Sequence, residues 1–166
     1  MRNLLGAVAL AGLVTLAFLT YSALYGPNRL PDRVPTHFDS AGNPNGWGSP
    51  HAMIVMPVIA GAVYLLMTVV SRFPSAFNYP VRTTPEIVPR LQAVTLQMLA
   101  WLKAELMWLF AALQWAFIHS AHTGEGRLFP ALLPVVLFVV LGTLGWHLVA
   151  LFRTACAGAP VSTPEK

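Results

Sequence analysis

The sequence predicts an all-α integral membrane protein: a bundle of four transmembrane helices with a structured extracytoplasmic loop between the first two. Three observations predict it. Of 166 residues, 56% are apolar and only 10% charged, whereas a soluble domain carries about 25% charged residues. Four apolar runs are each long enough to cross hydrocarbon, which takes roughly 20 helical residues. The one cysteine, Cys156, leaves no internal disulfide framework and no multi-cysteine metal site to hold the chain together. High hydrophobicity also excludes an intrinsically disordered chain.

The first run, residues 4–24, contains no charge. Arg2 before an apolar run also fits a signal peptide. This run exceeds the usual length of about 7–15 apolar residues, and no A-x-A cleavage site follows, so a retained helix is expected. The second run, 52–71, is also uncharged. The third, 91–121, carries Lys103 and Glu105, and the fourth, 128–152, is uncharged again. The expected organisation is one membrane domain over 1–152, a cap loop over 26–51 and a tail over 153–166. Pro57, Pro130 and Pro134 are expected in early helix turns, where a missing N–H matters least. Gly142 and Gly145 would permit close approach of another helix backbone.

Orientation follows from Lys and Arg in the short loops. Arg2, Arg72, Arg82, Arg90, Arg153 and Lys166 fall on one side; Arg29, Arg33 and Arg127 fall on the other. The excess predicts a multi-pass protein with both termini in the cytoplasm. The net charge of +4 then reads as this topological signal and as attraction to anionic lipid heads. A nucleic-acid face would need a basic cluster on a soluble surface, and the sequence has none. The lipid bilayer is the partner expected first, with oligomerisation open.

The loop between the first two runs is dense in conformational instructions. Pro27, Pro31 and Pro35 each fix φ and push the preceding residue toward extended backbone. Val34, His37 and Phe38 support only a short strand. Gly42-Asn43-Pro44-Asn45-Gly46 supplies a tight turn. Trp47 follows, with a ring suited to the headgroup level. The loop reads as a compact cap on the outer end of the bundle.

The pattern L-P-x-x-V-P-x-H-F-x-x-x-G-x-P-x-x-W, carried by Leu30, Pro31, Asp32, Val34, Pro35, His37, Phe38, Gly42, Pro44 and Trp47, resembles a bacterial membrane family of unknown function. That domain also forms the amino-terminal part of SdpI-type toxin-immunity proteins. The family usually has Asp where this chain has Asn45, and Lys near Pro50. The resemblance implies a small bacterial inner-membrane protein. In the immunity subgroup it implies protection from a secreted toxin and relay of its presence to a repressor.

Inside the spans the informative groups are Lys103, Glu105, Gln114 and His147. A charge at the bilayer centre costs from about 3 to more than 10 kcal/mol. Lys103 and Glu105 are two apart and so face different sides of a helix; Gln114 shares the Lys103 face. One reading is a polar path or binding site in the bundle. The cheaper one starts the helix near Leu106, leaves 91–104 as an interfacial stretch and lets Lys103 snorkel to the interface. His147 is expected to find a partner such as Thr143, one turn away. Trp101, Trp108 and Trp115 recur every seven residues and form one stripe, a packing or lipid face or a face for a partner protein.

On the outer side, His119 and His122 are three apart and share a helix face, with Glu125 next in the loop. With His37, Asp39 and His51 they could hold Zn²⁺, which takes N and O ligands, and a bound zinc could activate water. His-Glu-x-x-His is absent. For His37 the plainer reading is a ring that bonds backbone and shapes the loop. Cys156 is expected just past the last helix, open to palmitoylation or idle.

Three functions follow. The expected one is a non-enzymatic inner-membrane protein with no cofactor, whose outer loop recognises a partner such as a peptide toxin. The second is an accessory subunit of a larger membrane complex. The third is a zinc-dependent membrane hydrolase. Four helices with one polar span make a poor alternating-access transporter.

Overall fold

The computed structural model describes residues 1–41, 43–81, 83–124 and 128–157, of which 128–133 by backbone alone. Gly42, Arg82, Glu125, Arg127 and Lys166 lie outside the described residues. The element order is α1 (Arg2–Tyr25), β1 (Val34–Phe38), β2 (Pro44–Gly48), a 3-10 turn (Pro50–Ile54), α2 (Val55–Val70), a second 3-10 turn (Pro74–Ala76), α3 (Val88–Thr123) and α4 (Leu128–Ala157). Among the described residues, four helical segments are long and apolar enough to cross a membrane. The chain is a multi-pass membrane protein. Its outward side chains agree: Phe138 is 80% exposed and Trp146 74%, a surface that water would penalise and lipid accepts.

α3 is the axis of the bundle. α1 and α2 pack on it, and α4 packs on another of its faces. The shared core of α1, α2 and α3 is built from Ala9, Leu16, Ala60, Ala104, Met107 and Ala111. Small residues dominate because helices in lipid are held by close packing rather than by a hydrophobic drive. The closest approach is at Gly12, where a Cβ would stand 3.1 Å from Met107 Cβ and 3.2 Å from Trp108 N. Gly142 and Gly145, expected to make such a contact, are exposed, and a Cβ at either would meet nothing within 4 Å among the described residues.

α3 begins at Val88, not near Leu106. No Gly or Pro interrupts Arg90–Thr123, and Leu91, Ala100 and Ala104 in its first half are buried. Leu91 packs with Ile87 and with Leu151 of α4, under Tyr79 and Val81 of the preceding loop. At 36 residues the helix is about 54 Å long, more than hydrocarbon needs, so α3 projects beyond α1 and α2 at one end. Gly124, at φ 74 in the left-handed region, ends it and returns its N–H to Ser120 O. This is the common glycine stop.

Three further expectations are corrected. Pro134 lies inside α4, not in its first turn, although Pro57 is the third residue of α2. α4 runs to Ala157, so Cys156 sits within the helix, exposed and unpaired, rather than beyond it. The turn in the cap is not Gly42–Gly46. β2 begins at Pro44 and pairs antiparallel with β1, so the turn falls around Asp39–Asn43 and the following residues are strand.

Candidate functional site

The hairpin closes one end of the bundle, and its shape comes from short polar side chains. The Asp39 Oδ1 accepts from the N–H groups of Ala41 at 2.9 Å and Asn43 at 2.8 Å, and its Oδ2 accepts from Asn43 Nδ2 at 3.3 Å. An aspartate that bonds backbone ahead of itself makes a turn without help from the strands. Across the strands Val34 opposes Gly48, Pro35 opposes Trp47 and His37 opposes Gly46, with irregular register on both sides of His37. Pro35 and Pro44 lack an N–H to give, which a two-stranded ribbon tolerates. The His37 ring donates from Nδ1 to the Asn45 side-chain oxygen. The partner of the His37 ring is thus an amide side chain on the opposite strand rather than the expected backbone.

One face of the hairpin is seated on the bundle. Val34 is fully buried with Ala23, Leu30 and Met53, against Phe117, Ile118 and Ala121 of α3. The Phe38 ring lies 5.4 Å from that of Phe117. The other face is open: Asp32, His37 and Trp47 are exposed, and Trp47 points away at 53% exposure. Pro31 is exposed and Pro35 buried. Between β1 and the start of α2 lies an apolar cleft of about 190 Å³, lined by Val34, Thr36, Met53, Met56 and Phe117, with Gln114 among its walls.

Gln114 is 1% exposed. Its Nε2 donates to Thr20 Oγ1 at 3.0 Å and lies 3.4 Å from Met53 O. It ties α3 to α1 and to the 3-10 turn beneath the cap. The other polar groups of the helices point elsewhere. Lys103 Nζ donates to Thr68 Oγ1 of α2 at 3.2 Å and stands 4.8 Å over the Tyr64 ring. Glu105 faces α4, where Thr143 Oγ1 donates to its Oε1 at 2.5 Å. Its Oε2 is buried without a hydrogen-bond partner among the described residues. His147 Nδ1 donates to the Thr143 backbone oxygen at 2.9 Å, so Thr143 serves both groups. These four side chains do not form one path.

The candidate metal ligands are likewise held apart. Asp39 is committed to its turn and His37 to Asn45. His51 is paired with Ser49. His119 stacks on Trp115 at 5.4 Å. The two ring nitrogens of His122 lie 2.8 Å from Ile118 O and 3.2 Å from Asn28 O, each turned to a backbone oxygen rather than to another candidate ligand. Among the described residues no three His, Cys, Asp or Glu side chains come together to hold a metal. Glu125, the remaining candidate, lies outside the described residues.

The tryptophan stripe serves two purposes. Trp108 Nε1 donates to Val8 O at 3.1 Å, joining α3 to the first third of α1. Trp101 and Trp108 also wall an apolar groove between α1 and α4 with Leu4, Val8, Val135 and Val139. Sequence reasoning missed Thr20, Thr68 and Gly12. The two threonines stand out only as hydroxyls in otherwise apolar runs, and Gly12 follows the buried Ala9 at a spacing of three.

Comparison with known proteins finds partial similarity and no activity. Residues 12–61, from the middle of α1 through the hairpin to α2, match the family described as domain of unknown function DUF1648. An uncharacterized protein of Archaeoglobus fulgidus is 34% identical over 84 residues, which covers 46% of this chain and 43% of that protein. The similarity thus spans less than half the length of that relative. No solved structure matches.

Proposed function

We propose that the protein is a non-enzymatic inner-membrane protein whose hairpin end is a recognition surface facing away from the cytoplasm. The observation that supports this reading is the construction of the hairpin. Asp39, His37 and Asn45 give it a set shape and Val34 anchors it, while Trp47 and the cleft beside Thr36 stay open. A passive connector needs none of these devices. A short apolar cleft beside a strand suits a peptide. A peptide toxin is the partner expected from the likeness of the loop to SdpI-type immunity proteins. Bacterial origin also rests on that likeness, since the relative found is archaeal.

Survival tests this reading. The protein would be expressed in a host sensitive to a secreted membrane-active peptide toxin. Increased survival, lost on replacing Trp47 with Ala, is the expected result; unchanged survival overturns the immunity version. A second reading, an accessory subunit, is favoured by the bare small-residue face of α4 at Gly142 and Gly145. Purification from native membrane in mild detergent separates the two: stoichiometric integral-membrane partners would favour the subunit.

A further inference from the structure

At the end of the bundle opposite the hairpin, three cations line one cavity. Arg2 opens α1, Arg72 follows α2, and Lys103 reaches in from α3; the cavity measures about 400 Å³, within the range of small-ligand sites. Its other walls are Gly6, Thr68, Ser71, Pro74, Leu96 and Ala100. None is a carboxylate. Like charges gathered around one space repel unless an anion joins them, so the missing counter-charge needs an explanation.

The hydrogen bonds sharpen the point. Thr68 gives its own proton to Tyr64 O at 2.7 Å, so toward Lys103 it acts only as an acceptor. Ser71 gives its proton to Met67 O at 2.7 Å. An ammonium carries three donors, and Lys103 uses one on Thr68. The guanidinium groups of Arg2 and Arg72 have no hydrogen-bond or ion-pair partner among the described residues. The cavity therefore presents unspent donors and, among the described residues, no negative group. It also sits where α1 begins at Arg2 and α2 ends at Val70, the level at which a spanning helix meets the headgroups.

We propose that this cavity is a phosphate site, formed by Arg2, Arg72 and Lys103, that takes the headgroup phosphate of an anionic phospholipid. Guanidinium forks suit paired phosphate oxygens, and an ammonium adds a point charge. Basic pockets between helices at this level are where lipid headgroups bind. The apolar wall of Gly6, Leu96 and Ala100 accommodates the glycerol and first methylenes behind the phosphate. Free phosphate shares the chemistry and would use the same three cations. The inference is independent of what the hairpin recognises.

Native mass spectrometry of the whole protein in mild detergent tests it. Phosphatidylglycerol and phosphatidylcholine are offered at equal concentration, with inorganic phosphate as a separate arm read by thermal shift. One retained phosphatidylglycerol per chain is expected, preferred over phosphatidylcholine. Arg2→Gln and Arg72→Gln should each weaken it about three- to tenfold, the loss of one charge-assisted contact, and Arg72→Lys should recover part. Neither guanidinium has a partner among the described residues, so these variants should remain monodisperse; Lys103→Gln is the third. Binding of inorganic phosphate that the same variants abolish, without lipid preference, assigns the site to free phosphate. Equal retention of both lipids with no phosphate effect overturns the proposal. So does a preference for phosphatidylglycerol that none of the three variants changes.

Discussion

The side-chain amide of Gln114 on α3 donates to the hydroxyl of Thr20 on α1 at 3.0 Å, and both residues are buried. Thr20 in turn donates to Leu16 O at 2.9 Å, so its proton is committed and it can serve Gln114 only as acceptor. The pair is a directional tie placed just under the cap. Gln114→Leu keeps the volume and removes the donor. Measured couplings between helices in membranes average about 0.6 and reach about 1.7 kcal/mol. Thermal unfolding in detergent of Gln114→Leu, Thr20→Val and the double variant should yield a coupling in that range. Strict additivity of the two single effects would show that the bond contributes nothing.

Gly12 and the pair Gly142 and Gly145 should respond in opposite ways to added carbon. A side chain at Gly12 meets Met107 and the backbone of Trp108 at 3.1–3.2 Å, and helices in contact cannot yield without separating. Gly12→Val is expected to cost about 1–3 kcal/mol, the usual range for overpacking. Gly142→Ala and Gly145→Ala have open space and should stay within about 0.5 kcal/mol, or gain from better helix propensity. Melting temperatures of the three variants check this. A large loss at Gly142 or Gly145 would point to a second chain packed there.

The contrast explains what the sequence could reveal. Run lengths and missing charges define helices from composition alone, because the bilayer imposes length and apolarity on each span separately. Which small residue meets which helix depends on how the helices cross, and Gly12 and Gly142 look alike in a linear text. The same holds for the cap. Pro31, Pro35 and His37 announce a shaped loop, but the second strand was hidden. Asn43-Pro44-Asn45-Gly46 carries turn residues, and only the Asp39 turn placed before it frees them to be strand. Lys103 and Glu105 were legible as anomalies; their partners Thr68 and Thr143 lie 35 and 38 residues away.

Glu105 and Thr143 form an unequal pair. Thr143 can lose its hydroxyl and keep its fold, whereas Glu105 then keeps a carboxyl with neither oxygen served, since Oε2 has no partner among the described residues. Stranding a buried polar group costs about 1–3 kcal/mol, while removing it together with its partner can be nearly neutral. Thr143→Val should therefore destabilise more than the double variant Glu105→Leu/Thr143→Val. Urea or thermal unfolding in detergent decides it. A double variant weaker than Thr143→Val alone would mean that the carboxyl itself contributes to the fold.

The hairpin should loosen without the bundle. Asp39→Ala removes the one oxygen that accepts from both the Ala41 and Asn43 amides, and Asn45→Ala removes the acceptor for His37. Each bond is exposed, so the loss is about 0.5–1.5 kcal/mol at most and confined to residues outside the helices. Limited proteolysis should cut near residues 39–45 several-fold faster in either variant, with the melting temperature of the helices unchanged. A fall in that temperature as large as for Gly12→Val would mean that the cap and the bundle unfold as one unit.

Sidedness is the remaining prediction, and it joins the two ends of the molecule to the membrane. Arg2, Arg72 and Lys103 gather at one end, with Leu151 of α4 packed beside Leu91; the hairpin with Arg29 and His122 stands at the other. The richer basic end is expected in the cytoplasm. Cys156 is exposed near the end of α4 and serves as a natural reporter for that side. A membrane-impermeant thiol reagent applied to intact cells should leave Cys156 unmodified. In a Cys156→Ser background the same reagent should label Thr36→Cys, and label it before lysis. Labelling of Cys156 in intact cells would invert the orientation and put the hairpin, with any recognition it performs, inside the cell.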